Sequence, residues 1–316
     1  LDLINFSKSI LYSLGFGSNF YFHYSGLEYG SPEGLLKPFL HTWSLSVEEQ
    51  YYLLFPLVLV VVFKYFKKFI LHFLLLSFFI SLAFADIGSK HFPSSTFYFL
   101  HTRIWELICG SLIAYFEIKL GHRSQNDILC KTLPFVGMSL IIYSVFYFAS
   151  GVFHPSFYTL IPVTGVALIL WFSNKKDMIS KILSFRLFVG VGLISYSLYL
   201  WHYPIFSFAK NLEFFQGYFG KLILIFVSFI LSIFTYYFIE QPARKTKFVK
   251  TVFSMMLLGV SLIFIYNVAV IKENGFLNRV KVNEKKKKNL KAMYFLTLFL
   301  FLFSKSFFLK IKKKLK

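Results

Sequence analysis

The sequence predicts an all-α membrane protein, a polytopic transmembrane helical bundle of about nine spans. Three observations carry that expectation. The 316-residue chain is 57% hydrophobic and 22% aromatic, with a mean hydropathy of +0.63, well above the apolar share of a water-soluble domain. Its apolar runs are continuous rather than alternating, which argues against a transmembrane β-barrel. Its formal charge of +20 sits between those runs, where positive residues flank membrane spans. That placement argues against nucleic acid as the partner of the charge.

Runs of the ~17–25 residues that cross the hydrocarbon layer fall at about 7–24, 44–63, 68–85, 98–118, 132–150, 157–173, 187–209, 220–239 and 251–271. The first is short and carries Ser13, Ser18 and Asn19. Orientation follows from the loops. Lys64, Lys67 and Lys68 follow the second run, and Lys119, Arg123 and Lys131 follow the fourth. Lys175, Lys176, Lys181 and Arg186 follow the sixth, and Arg244, Lys245, Lys247 and Lys250 the eighth. The intervening loops are poor in Lys and Arg, so every second loop is expected on the cytoplasmic side. Cys109, in an apolar run, and Cys130, in a basic loop, form no disulfide framework or zinc spacing, and no metal site is expected. The chain opens on Leu1 rather than Met and reads as lacking an N-terminal part. Residues 1–272 are expected to form the membrane core. Residues 273–316, rich in Lys and Phe and with an apolar patch at 292–309, read as a tail rather than a folded domain.

That orientation brings three polar, aromatic clusters to the same side and a similar depth, where they could line one cavity. Ionisable groups inside a membrane are costly and mark function by default. The first cluster is His41-Thr42-Trp43-Ser44-Leu45-Ser46-Val47-Glu48-Glu49-Gln50-Tyr51-Tyr52. Ser46-Val47-Glu48-Glu49 has the form of a capping box, in which both glutamates simply suit the first turn of a helix. That does not account for His41, Ser44, Gln50 and Tyr51. A histidine at a helix entrance near a carboxylate on that helix is the minimum for moving a proton at neutral pH. In the second cluster, Arg103 and Glu106 stand three apart on one helical face. They read either as a salt bridge with Trp105 as an interfacial anchor or as a guanidinium that holds an anionic substrate group. The third runs from Ser195 to Pro204, with His202 beside Trp201, Tyr199 and Tyr203. The aromatic residues could be interfacial anchors alone; the histidine is expected to face the bundle interior.

The segment 41–52, followed by Pro56, resembles the signature of the bacterial acyltransferase family 3 membrane proteins. Ser18-Asn19-Phe20-Tyr21-Phe22, Thr102-Arg103-Ile104-Trp105-Glu106-Leu107, the Ser195–Pro204 stretch and Ile239-Glu240-Gln241-Pro242-Ala243-Arg244 match in order, over roughly residues 1–280. The resemblance implies an enzyme of the bacterial cytoplasmic membrane. Such an enzyme moves an acyl group, usually acetyl from acetyl-CoA, to a hydroxyl of an extracytoplasmic glycan such as O-antigen, exopolysaccharide or peptidoglycan. No bound cofactor is implied. The clusters themselves make His41, Glu48, Glu49 and His202 the candidate catalytic residues. Ser44, Gln50, Tyr51, Arg103, Trp105, Glu106 and Trp201 are the candidate substrate-binding residues.

The family's first helix, with an arginine and a histidine about ten residues further on, has no counterpart here, so the chain as given is expected to be impaired. The extracytoplasmic esterase-like domain of many relatives has none either. The competing readings are a carrier that passes a polar substrate without making a bond, and an inert fragment.

Overall fold

The computed structural model describes residues 3–26, 31–148, 154–174, 177–215, 217–244 and 249–276, and these contain helices and no strand. In chain order the α-helices are α1 (Leu3–Leu14), α2 (Ser18–Tyr24), α3 (Thr42–Tyr65), α4 (Ile70–His91), α5 (Pro93–Tyr98), α6 (Ile104–Leu120) and α7 (Asp127–Tyr147). They continue with α8 (Leu160–Phe172), α9 (Met178–Leu183), α10 (Arg186–Asn211), α11 (Gly217–Thr235), α12 (Gln241–Arg244) and α13 (Val249–Lys272). Among the described residues, five helical stretches are long and apolar enough to cross a membrane: Thr42–Tyr65, Lys67–His91, Asp127–Tyr147, Gly217–Ala243 and Phe253–Lys272. The chain is thus a multi-pass membrane protein. Leu53, Val60, Phe79, Phe146 and Phe226 leave half or more of their surface uncovered, as residues facing lipid do. The tail from residue 277 on lies outside the described residues, as do Lys175, Lys176, Lys245 and Lys247 of the basic loops.

The first predicted span, 7–24, is not one helix. It breaks at Gly15-Phe16-Gly17, where Phe16 takes φ 55°, a left-handed conformation a helix cannot continue through. The limbs fold back on each other: the Tyr21 hydroxyl donates to the Asn5 carbonyl at 3.1 Å, and the rings of Tyr12 and Tyr21 stack at 5.0 Å. At 12 and 7 residues, neither limb has the length of a spanning helix. The polar residues that weaken the run in sequence form its joint. Ser13 and Ser18 both bond the Thr42 hydroxyl, at 2.8 and 3.0 Å. The predicted span 98–118 is likewise divided, into the end of α5, a 3₁₀ turn at Leu100–Thr102 and α6.

The chain divides into two compact units, residues 1–43 with 190–316, and residues 44–189. In the first, α1 packs along α13, and Gly275, beyond the end of α13, lies against Ile4, which a Cβ there would meet at 3.4 Å. Trp201 of α10 donates to the Thr235 hydroxyl at the end of α11 at 2.9 Å. In the second, the Ser81 hydroxyl on α4 donates to the His101 carbonyl at 2.7 Å and accepts from the Trp105 amide at 3.2 Å, which pins the start of α6. Helices α7 and α8 meet backbone to backbone. A Cβ on Gly137 would lie 2.5 Å from the Gly165 carbonyl oxygen, and one on Gly165 2.6 Å from that of Gly137. Glycine at both positions is what permits the contact.

Candidate functional site

In the first unit the sequence brings His41 and His202 together. The loop before α3 runs back along α10 and is tied to it by neutral donors. Tyr203 donates its hydroxyl to the Gly34 carbonyl at 3.2 Å, and Asn211 its amide to the Leu36 carbonyl at 2.8 Å. Tyr199 donates to the carbonyl of His41 itself. Tyr199 and Tyr203, readable as interfacial anchors from sequence, therefore hold this loop. The His41 ring, 1% exposed, lies stacked on Tyr203 at 5.2 Å and edge-on to Tyr199 at 5.3 Å, with His202 at 5.9 Å.

The tautomer of the neutral His202 ring follows from one bond. Its Nδ1 lies 3.1 Å from the Leu198 carbonyl, one turn back along α10. A carbonyl only accepts, so Nδ1 carries the hydrogen and the neutral ring keeps its lone pair on Nε2. His202 is half-buried. Trp201, by contrast, is 1% exposed and its N–H is committed to Thr235, which is the placement of a packing residue.

Glu240 belongs to the same unit and was not among the site residues read from the sequence. Its carboxylate is 1% exposed and accepts from the Ser197 hydroxyl on α10. It closes a π-helical turn, Tyr236–Glu240. Pro242 has no N–H to give the Phe238 carbonyl, so the α-helical ladder cannot continue there and the turn widens. The sequence signal was Pro242 two residues after an acidic residue in an apolar run.

Helix α3 begins at Thr42 and runs on into the second unit, so Ser46 is interior and Glu48 and Glu49 lie in its second turn. The capping-box reading is therefore overturned, because a cap must stand at the helix entrance. Glu49 is buried, and Ser44, Glu48 and Gln50 are half-buried. Tyr51 is 5% exposed and its hydroxyl meets that of Ser111 on α6 at 2.9 Å.

The Arg103 corner is an ion pair with further support. Nη1 lies 3.4 Å from Glu106 Oε1, Nε donates to the Phe97 carbonyl at 3.3 Å, and the guanidinium stands 5.0 Å over the Phe97 ring. Trp105 is fully buried between α4 and α6, edge-on to Phe78 at 5.8 Å. That corrects its reading as an interfacial anchor, since an anchor needs its N–H at the polar surface. His154, which the sequence singled out for nothing, belongs to this corner. Burial, and then the positive charge of Arg103, hold its imidazole below the ordinary value of 6.5. A separation of 51 positions hides the relation in sequence. Among the described residues no group of three or more His, Cys, Asp or Glu could hold a metal ion.

Residues 8–240 match the model of acyltransferase family 3, described as an acyltransferase domain. The chain is 28% identical over 263 residues to the peptidoglycan O-acetyltransferase OatA of Listeria monocytogenes, covering 78% of this chain and 42% of that protein. It is 29% identical, over the same shares, to the O-acetyltransferase OatA of Staphylococcus aureus. The chain thus spans less than half the length of these curated relatives. No solved structure matches.

Proposed function

The chain belongs to acyltransferase family 3, and on that premise we propose that it transfers an acetyl group from acetyl-CoA to a hydroxyl of an extracytoplasmic glycan. The relatives named for peptidoglycan make a cell-wall sugar the favoured acceptor, and the bacterial cytoplasmic membrane the favoured location. The nine-span topology with alternate basic loops inside becomes one in which 7–24 does not cross.

The His41–His202 pair is the observation that carries this reading. The tautomer of His202 leaves Nε2 as a proton acceptor. Nε2 takes the proton of the acceptor hydroxyl as its oxygen attacks the acetyl carbonyl carbon. A C–O ester bond forms, the C–S bond of the thioester breaks, and the thiolate of coenzyme A leaves and takes up a proton. His41, within ring contact of His202, supplies a second nitrogen base or donor beside the developing charge. Within the second unit, taken by itself, Glu48 and Glu49 are kept as further carboxylates for proton handling, and Arg103 as a cation that reaches an anionic group only by giving up its pair with Glu106.

Acetyl-labelled acetyl-CoA supplied to membranes holding the chain, with release of label from glycan by mild base, tests it. His202→Gln is expected to lower transfer by ~10²–10⁴-fold, the usual worth of a general base, with the melting temperature unchanged. Full transfer by that variant would sink the role of His202. Acceptor that crosses the membrane and gains no label would favour a carrier.

A further inference from the structure

The loop that carries His41 also forms one wall of a cavity of 530 Å³ in the first unit. Tyr21 and Phe22 of its lining belong to the 18–22 stretch, but none of the lining residues was a candidate site residue in the sequence. The buried part of its lining is Phe6, Phe22 and Pro38, with Ser9, whose hydroxyl is bonded to the Phe6 carbonyl. Half-buried Tyr21, Leu36, Lys37 and Asn211 make the walls, and exposed Asn5, Ser25 and Glu33 the rim.

The chemistry of this lining selects a ligand class. The volume lies within the ~300–1,000 Å³ of small-molecule pockets. Aromatic rings below and hydrogen-bonding groups above match a pyranose, which has an apolar C–H face and a periphery of hydroxyls. Asn211 spends its amide hydrogens on the Leu36 and Ser207 carbonyls, both at 2.8 Å, which leaves Oδ1 as an acceptor. The Glu33 carboxylate and the Lys37 ammonium add one acceptor group and one donor group of opposite charge. With a single cation offset by a single anion, the cavity lacks the positive charge that would hold the phosphates of coenzyme A or a nucleotide.

We propose that this cavity seats a sugar ring of the acceptor glycan, which rests on the transferase reading above and adds the residues that recognise the acceptor. The seat and the reactive pair share one tethered segment. Glu33, Leu36 and Lys37 contact the sugar, Tyr199, Tyr203 and Asn211 hold the segment to α10, and His41 stands at its end. A sugar that packs against Leu36 and Lys37 therefore also fixes the His41 backbone, so acceptor occupancy and site geometry are coupled.

The test uses the full chain in nanodiscs and chitotetraose, an uncharged oligomer of N-acetylated sugars, with binding followed by calorimetry. Two variants probe the rim, where packing is not at stake: Ser25→Trp, which obstructs the mouth, and Glu33→Gln, which removes an acceptor. Both are expected to weaken binding by about tenfold or more. In transfer assays they should raise the KM for the oligosaccharide by a similar factor, with kcat and the KM for acetyl-CoA unchanged, while His202→Gln still binds the sugar. No binding by the parent chain, equal binding by the rim variants, or displacement of the sugar by coenzyme A would each overturn the assignment. Sugar bound at the rim with no label transferred would uphold the cavity and remove the transferase. Label transferred with rim variants like the parent would remove the cavity alone.

Discussion

The loop along α10 in the first unit and the corner around Arg103 in the second both keep ionisable side chains among apolar helices. A lone charge there costs several kcal/mol. In the corner, charge answers charge: Arg103 is met by Glu106, by the Phe97 carbonyl and by the face of the Phe97 ring. Along the loop the holding is done by neutral donors, the phenols of Tyr199 and Tyr203 and the amide of Asn211. An ion pair fixes geometry by using up its charges. Neutral donors fix geometry through the backbone and leave an imidazole nitrogen to take a proton. The first arrangement suits a joint, and the second suits chemistry.

Substitutions at the corner should therefore register as stability before activity. Arg103→Ala strands Glu106 and is expected to cost ~1–3 kcal/mol in thermal or denaturant unfolding, with the Arg103→Ala/Glu106→Ala double variant recovering part of the loss. Strictly additive losses would show that the pair is not coupled, and the contrast would collapse. A normal melting curve with a raised donor or acceptor KM would instead turn the corner into a binding site. At the loop, Tyr199→Phe keeps the ring against His41 and deletes only the hydroxyl. A loss of ~0.5–1.5 kcal/mol is expected, with a several-fold lower kcat. A variant indistinguishable from the parent in both would mean the tether does not position His41.

The smallest effect is one of pH. His154 is harder to protonate in the folded chain than in the unfolded one, because of burial and then Arg103. The unfolded chain thus binds more protons, and stability present above 6.5 is lost as pH falls through that ordinary value. For a partly solvated group the expected loss is a few tenths of a kcal/mol, seen as a lower melting temperature at pH 5.5 than at 7.5 that His154→Asn does not share. An identical pH slope in that variant would assign the effect elsewhere.

Long apolar runs made most helices legible in sequence, because a continuous run of that length has few other fates. The break in 7–24 was only half legible. Ser13, Ser18 and Asn19 flagged a weak span, but the left-handed Phe16 and the return of Tyr21 onto Asn5 depend on what the hairpin packs against. His41 and His202 stood out because histidine among aromatic and apolar neighbours is conspicuous. Which ring nitrogen of His202 holds the hydrogen depends on the Leu198 carbonyl, and only coordinates show that bond. Trp105 and Trp201 read ambiguously for a related reason. A tryptophan near a helix end can anchor at the interface or fill a core, and the choice is made by helices far away in the chain. His154 feels the charge of Arg103, 51 positions away in sequence, a relation no local pattern encodes.

The first unit is built from the two ends of the described chain, with α1 against α13 and the His41 loop against α10, whereas the second is one uninterrupted stretch, residues 44–189. Synthesis runs from the N-terminus, so the second unit has all its parts while the first still waits for α10, α11 and α13. Until α10 emerges, His41 and its loop lack the tethers that Tyr199, Tyr203 and Asn211 supply. The histidine pair is thus assembled late, and a chain interrupted during translation before α10 would hold a packed second unit and no reactive pair.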